Sequence, residues 1–193
     1  MAFLHLNYGQ RTEARELRAF GDLAAHYRVD HRLTTDVSYM RQIGGTSLID
    51  RALEIPREPQ RQERAPNTYV PFRNANILGI AVAWAETIGC HEIFVGAHAA
   101  DNAYPDCRPE FFAAFNNLIA AGTKPQTDIR VRTPLIGLGK EAIVRRGVEL
   151  EAPLHLTWSC YEREDLACGR CHSCRLRRAG FQRAGAEDPI AYA

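Results

Sequence analysis

Four of the six cysteines stand together near the C-terminus as Cys160-x7-Cys168-x2-Cys171-x2-Cys174. No other feature restricts the fold so tightly. A tetrahedral zinc ion takes four soft donors at about 2.3 Å, and a two-residue spacer lets one tight turn aim consecutive thiolates at a single point. Gly169 gives that turn its backbone freedom, and Cys160 closes the shell from further back. Four thiolates leave no open position for water, so one structural zinc ion per chain is expected. An iron–sulfur run is the nearest rival. Here, however, the fourth cysteine lies upstream and no proline follows Cys174. Unliganded thiols fit the spacing poorly. His172 sits inside a spacer, where a side chain usually points outward. Cys90 and Cys107 stand apart, and Cys90, closing an apolar stretch, reads as a core residue.

Such crowding suits metal ligands in a reducing cytoplasm better than a disulfide framework. A length of 193 residues suits one domain, or one with a small appendage. The natural division is an α/β domain over 1–152 and a zinc-binding region over 153–193. The net charge of +1 creates no general field for polyanions. Arg170, Arg175, Arg177, Arg178 and Arg183 do make the tail basic, so a phosphate surface is conceivable. More often such arginines solvate a small domain or offset the negative charge of a tetrathiolate zinc, and direct nucleic-acid binding is not expected. No apolar run approaches the roughly 18 residues of a membrane span. The opening MAFLHLNYGQR lacks the pattern of a secretory signal. A cytoplasmic protein is expected.

Upstream of the tail, strand and helix patterns alternate. Phe3 to Leu6 is an apolar run entering a turn, and Arg11 to Tyr27 carries apolar residues at helical spacing. Val29 to Thr35 reads as a second strand. Residues 36 to 73 lack periodicity and hold Gly44-Gly45, Pro56, Pro59, Pro66 and Pro71, the mark of a functional or disordered loop. Asn74 to Gly89 predicts a buried helix and Glu92 to Gly96 a strand. Pro109 opens a helix that Gly122 ends. Ile129 to Thr133 predicts a strand and Lys140 to Leu150 a helix. This order predicts an α/β fold, a doubly wound and mainly parallel sheet carrying a zinc-binding appendage.

Several segments in order, LHLNYGQRTEARE (4–16), GGTSLID (44–50), PNTYVPFRN (66–74), YPDCRPEF (104–111), the TPL and Lys140 of 133–140, and the cysteine tail followed by Arg175 and Leu176, cover nearly the whole chain. Together they resemble the 7-cyano-7-deazaguanine synthase, or QueC, family of ATP-dependent ligases in queuosine precursor synthesis. Phe72 stands where many members carry glycine. The resemblance implies an adenine nucleotide alpha hydrolase-like fold. It also implies ATP with magnesium as cosubstrate, zinc, a homodimer, and the conversion of 7-carboxy-7-deazaguanine and ammonia to a nitrile. One departure is large. The family's Ser-Gly-Gly-x-Asp-Ser loop, which cradles ATP phosphates at a helix start, is absent from the sequence, and Gly44-Gly45-Thr46-Ser47 does not replace it. The expectation is a chain that begins at the family's second strand, with the natural start upstream. The alternatives are a non-catalytic zinc-binding remnant or partner of the same fold, and, more distantly, a zinc-dependent nucleic-acid module.

Candidate substrate and ATP contacts follow from this resemblance and from position. Asp101, Asp106 and Glu110 lie just beyond the strand ending at Gly96, where open α/β sheets bind ligands. Their carboxylates would accept from the N–H groups of a deazaguanine, although helix capping near Pro109 explains Asp106 equally well. Arg73 and Arg108 suit a substrate carboxylate or a phosphate, or else ordinary ion pairs. Asn74 closes the PNTYVPFRN segment. Lys140 would meet phosphate or solvate a helix start. Tyr8 and Gln10, with Gly9 and Arg11, follow the first strand at a ligand-facing edge, or form a simple turn into the helix. No catalytic residue is assigned.

Overall fold

The computed structural model describes residues 1–57, 65–99 and 104–193. The chain opens with a parallel βαβ unit: β1 (Ala2–Asn7), α1 (Glu13–His26) and β2 (His31–Asp36). β1 and β2 run in register from Ala2 beside His31 to Asn7 beside Asp36. α1 lays Phe20 against the rings of Phe3 and His5 on β1, and it buries Ala19 and Ala24. Leu17 and Tyr27, two of the apolar residues at helical spacing, are exposed. Its first turn carries Glu13 and Glu16, which favour the positive end of the helix. Gly9 turns the chain between β1 and α1 with a φ of 85°, and a Cβ there would run into the Arg41 side chain.

The segment expected as a long loop is structured over its described part, up to Arg57 and again from Ala65; Pro59 lies outside the described residues. It contains the short α2 (Met40–Ile43) and buries Met40, Thr46, Ser47, Leu48 and Ile55. Side chains take the place of a repeating ladder. The Ser47 N–H donates to the Asn67 carbonyl at 2.8 Å, the Ser47 hydroxyl donates to Asn67 Oδ1 at 3.0 Å, and the Arg11 guanidinium donates to the Asp50 carbonyl at 2.7 Å. Periodicity was the wrong signal for such a stretch, because its backbone groups are satisfied one by one.

A second βαβ unit follows: α3 (Arg73–Ile88), β3 (Glu92–Phe94), a 3-10 turn at Pro105–Cys107, α4 (Pro109–Gly122) and β4 (Arg130–Arg132). α4 has the limits that Pro109 and Gly122 predict. β3 and β4 pair in parallel from Glu92 beside Arg130 to Phe94 beside Arg132. Leu78 and Ala85 of α3, Phe112 and Ile119 of α4, and Ile129 and Val131 share one core. Cys90 packs against it as expected. Asn116 of α4 holds β4 by its side chain, accepting from the Val131 N–H at 2.8 Å and donating to the Val131 carbonyl at 3.2 Å.

The strands therefore pair in parallel, as the alternating pattern requires. Among the described residues they form two two-stranded sheets, β1–β2 and β3–β4. Met1–Val70 with Lys140–Ala193 make one compact unit and Pro71–Gly139 another. The first unit also contains α5 (Lys140–Glu149) and a tail helix, α6 (His172–Ala184), that the sequence reading did not foresee. α5 and α6 approach closely at Gly180, where a Cβ would lie 2.6 Å from Lys140 Cγ. Glycine alone permits that crossing.

Candidate functional site

The sulfur atoms of Cys160, Cys168, Cys171 and Cys174 all lie within 4.8 Å of one another, and all four residues are buried. Cys168 Sγ and Cys174 Sγ are 3.9 Å apart. A tetrahedral ion with bonds of about 2.3 Å would place its sulfurs roughly 3.8 Å apart, so the four donors fit such an ion. Backbone N–H groups supply the stabilisation that thiolates need. Cys168 N and Glu162 N donate to Cys160 Sγ at 3.3 and 3.4 Å, and Cys171 N donates to Cys168 Sγ at 3.3 Å. Cys171 is the N-cap of α6, its sulfur accepting from Cys174 N at 3.5 Å. In the protein alone, hydrogen bonds from Cys171 and Cys174 hold the Cys160 thiol far below its ordinary pKa. Donating to Cys160 pushes Cys171 up to about 12, and the same partner raises Cys174. A divalent cation at this point would hold all four sulfurs as thiolates.

A polar layer braces this cluster. The Arg177 guanidinium pairs with the Asp188 carboxylate at 2.9 Å, with both side chains about nine-tenths buried. It also donates to Thr157 Oγ1 at 2.7 Å and to the Leu154 carbonyl at 3.2 Å, and the Tyr192 hydroxyl donates to Asp188 at 2.6 Å. Burial pushes the Asp188 carboxyl up, but the bonds from Arg177 and Tyr192 outweigh it and hold its pKa below the ordinary value. Ala167, between the first two cysteines, bridges to Tyr192 near the chain end. Outside this layer, Glu164 accepts from the Ala14 N–H at 2.9 Å, so the tail caps the start of α1. The Arg15 guanidinium lies 4.5 Å from the centre of the Trp158 ring.

Three further tail arginines have partners within the same compact unit. Arg170 pairs with Glu162 at 3.2 Å, Arg175 donates to the Arg57 carbonyl at 3.1 Å, and Arg178 lies over the Tyr192 ring. The sequence had singled out neither Asp188 nor Glu164, whose partners lie 11 and 150 residues away. No local pattern carries such a pairing.

Asn74 and Asp106 meet at the start of α3. The Asn74 N–H donates to Asp106 Oδ2 at 3.0 Å, and its side-chain amide donates to the Asp106 carbonyl at 2.8 Å and to Cys107 Sγ at 3.3 Å. The capping read for Asp106 is real, but the helix it caps is α3 and not the α4 that begins at Pro109. Arg73 is the first residue of α3 and is half-buried. Arg108 is the N-cap of α4, and both it and Glu110 are exposed. Phe72, the N-cap of α3, has a left-handed φ of 56°, the conformation in which the family's usual glycine is at ease. Asp101 lies outside the described residues.

The remaining candidates belong to the other compact unit. Gln10 is buried and spends its amide locally, accepting from the Tyr8 N–H at 2.9 Å and donating to Glu16 at 3.2 Å. Tyr8 is also buried. Lys140 is the first residue of α5, with its stem across Gly180.

A model of the family described as "Queuosine biosynthesis protein QueC" matches residues 1–185. The chain belongs to the QueC family. Among curated QueC relatives, a protein named 7-cyano-7-deazaguanine synthase from Chlorobium phaeobacteroides is 51% identical over 193 residues, all of this chain and 85% of that protein. The synthase of the same name from Chloroherpeton thalassium is 50% identical over the same shares. That of Koribacter versatilis is 50% identical over 98% of this chain and 81% of its own length. No helix among the described residues is long and apolar enough to cross a membrane.

Proposed function

We propose that this chain is a 7-cyano-7-deazaguanine synthase, an ATP-dependent carbon–nitrogen ligase that makes a nitrile from a carboxylate. Identity of about half the residues over the whole chain to relatives of that name carries the reading. A carboxylate resists ammonia because its charge repels the nucleophile and oxide is a poor leaving group. Adenylation by ATP removes both obstacles, and ammonia then gives the amide. A second activation by ATP turns the amide oxygen into part of a good leaving group, and its departure as AMP with loss of the N–H protons gives the nitrile. The work left to the protein is positioning and charge stabilisation.

In this reading the two helix starts of 71–139 supply the substrate contacts. Arg73 and Arg108 hold the substrate carboxylate or a phosphate, arginine's planar fork suiting either. Exposed Glu110 accepts from ring N–H groups. Asp101, Tyr8, Gln10 and Lys140 belong to the same proposal by position in the sequence. The metal is zinc, which when bound supplies a rigid closed junction in the tail and takes no part in the reaction. ATP enters with magnesium. A doubly wound sheet, a nucleotide- and substrate-binding domain over 1–152 with a zinc region over 153–193, a homodimer and a cytoplasmic setting complete the proposal.

The test is direct. Purified protein is incubated with ATP, magnesium, ammonium and 7-carboxy-7-deazaguanine, and the products are weighed by mass spectrometry. The amide and then the nitrile are expected, with ATP consumed only when the carboxylate is present. Absence of both products with ATP intact would remove the ligase reading in favour of a non-catalytic protein of the same family.

A further inference from the structure

We infer that Asp106 is a positioning residue: through Asn74 it fixes Arg73 and Arg108 in place for an anionic group of the substrates. The start of α3 explains why one is needed. Its N-cap, Phe72, has no side-chain acceptor and stands in a left-handed conformation, so the helix cannot cap itself. The acceptor comes instead from 32 residues away, where buried Asp106 takes the Asn74 N–H. A carboxylate is the best acceptor for that position, because it also meets the positive end of a 16-residue helix.

The contact is reciprocal. The Asn74 amide returns to the Asp106 carbonyl, so neither segment can shift without breaking bonds at both ends. The Phe72 ring packs edge-on against Phe111 in the first turn of α4, with centroids 6.4 Å apart, and closes the same corner from the other side. Arg73 lies between Phe72 and Asn74, both of which are held, and its Nε is shielded from solvent. Arg108 is two residues beyond Asp106, and its carbonyl accepts from Phe111 N at 3.1 Å. Two arginines thus leave one rigid corner from adjacent helix starts. Asp106 itself is only 4% exposed and turned into its bond with Asn74, which suits support better than contact with a ligand.

This inference rests on the proposed role of the two arginines, and its test separates the two claims. Asp106→Ala and Asn74→Ala, alone and together, are compared with wild type for KM and kcat, and each is labelled with 15N-arginine. Each single variant is expected to raise KM for the carboxylated substrate about tenfold, the scale of a lost outer-layer support, with a smaller change in kcat. Each single variant leaves one bond of the clasp, the amide to the Asp106 carbonyl or the Asn74 N–H to the carboxylate, so the double variant, which removes both, should be the most damaging of the three. Asp106→Asn, which keeps an acceptor oxygen, should restore most of the loss. The Arg73 Nε–H signal should become mobile in both alanine variants, while that of Arg145 on α5 does not change. If Asp106→Asn is as damaging as Asp106→Ala and Asn74→Ala is silent, Asp106 contacts substrate directly and the inference is wrong. An unchanged Arg73 signal overturns it whatever the kinetics. If wild type makes no product, the proposed activity falls, and the arginine signals still decide the clasp. Asn74 is half-buried, so its variant keeps the test alive should Asp106→Ala fail to fold.

Discussion

The cysteine centre and the Asn74–Asp106 corner both bury polar atoms, but they spend them differently. In the centre, sulfurs, backbone N–H groups and the Arg177–Asp188 pair face inward and answer one another. At the corner, one buried carboxylate ties two helix starts together while Arg108 and Glu110 remain exposed beside it. In the proposed function the first arrangement holds shape, and the second holds shape so that it can present charge. Loss of a residue should therefore be felt as stability in the tail and as substrate affinity at the corner, and variants can break that division.

The largest effect is expected from Cys171→Ser. Cys171 is fully buried, ligates in the proposed centre and caps α6. Structural zinc sites carry on the order of 10 kcal/mol of apparent binding energy that is also folding energy. Elemental analysis should fall from one metal per chain to near none, and the soluble yield should drop with it. Unchanged metal content in that variant would show that these cysteines do not form the site.

Next is Asp188→Asn. Removing the charge leaves the Arg177 guanidinium buried without its counter-ion, a change that typically costs about 3–5 kcal/mol. The pH dependence gives a second reading. The Asp188 carboxyl is held below its ordinary value in the folded protein, so its contribution is complete above the unfolded pKa of about 3.9. It disappears as pH falls through the lower folded value. Urea unfolding between pH 7 and pH 3, with metal content followed in parallel, should show a steeper acid loss for wild type than for Asp188→Asn. Equal slopes would mean that the pair does not hold the proton off.

The difference between the two regions also governs what the sequence could reveal. Four cysteines crowded in one short stretch announce themselves, because a metal's donors must converge and spacing encodes convergence. Pro109 and Gly122 marked α4 for the same reason, each residue's backbone limits acting locally. Local patterns fail where a partner is remote. Asp106 looked like a cap for the nearby Pro109 helix, yet its donor is Asn74 of α3. Residues 36–73 read as a functional or disordered loop because, in the described part, Ser47, Arg11 and Asn67 satisfy its backbone individually, without a period. α6 went unseen because its apolar face is interrupted by Cys174, Arg177 and Gly180, residues buried in the cysteine cluster, against Asp188 and at the crossing with Lys140.

A smaller effect should come from Glu164→Ala. Glu164 caps α1 from the tail, and loss of a cap costs about 1 kcal/mol. Hydrogen exchange at Ala14 and Arg15 should accelerate, with the metal retained. Loss of metal in this variant would mean that the cap and the centre form one cooperative structure, and the closed picture of the centre would have to be widened.

Phe72 offers the smallest and most discriminating change. Its left-handed backbone costs a non-glycine residue about 1 kcal/mol, and its ring recovers part of that through the edge-on contact with Phe111, worth about 0.5–1.5 kcal/mol in well-formed pairs. The ring is 62% exposed, so its buried area adds little. Phe72→Gly removes both the strain and the ring, and the two should nearly cancel, leaving stability within about 0.5 kcal/mol of wild type. Phe72→Ala removes the ring and keeps the strain, so it should be the less stable variant by about 1 kcal/mol. Denaturant midpoints of the three proteins decide the matter. Equal stability of the alanine and glycine variants would mean that position 72 does not need a left-handed conformation. The glycine common in the family would then have some other cause than the turn into α3.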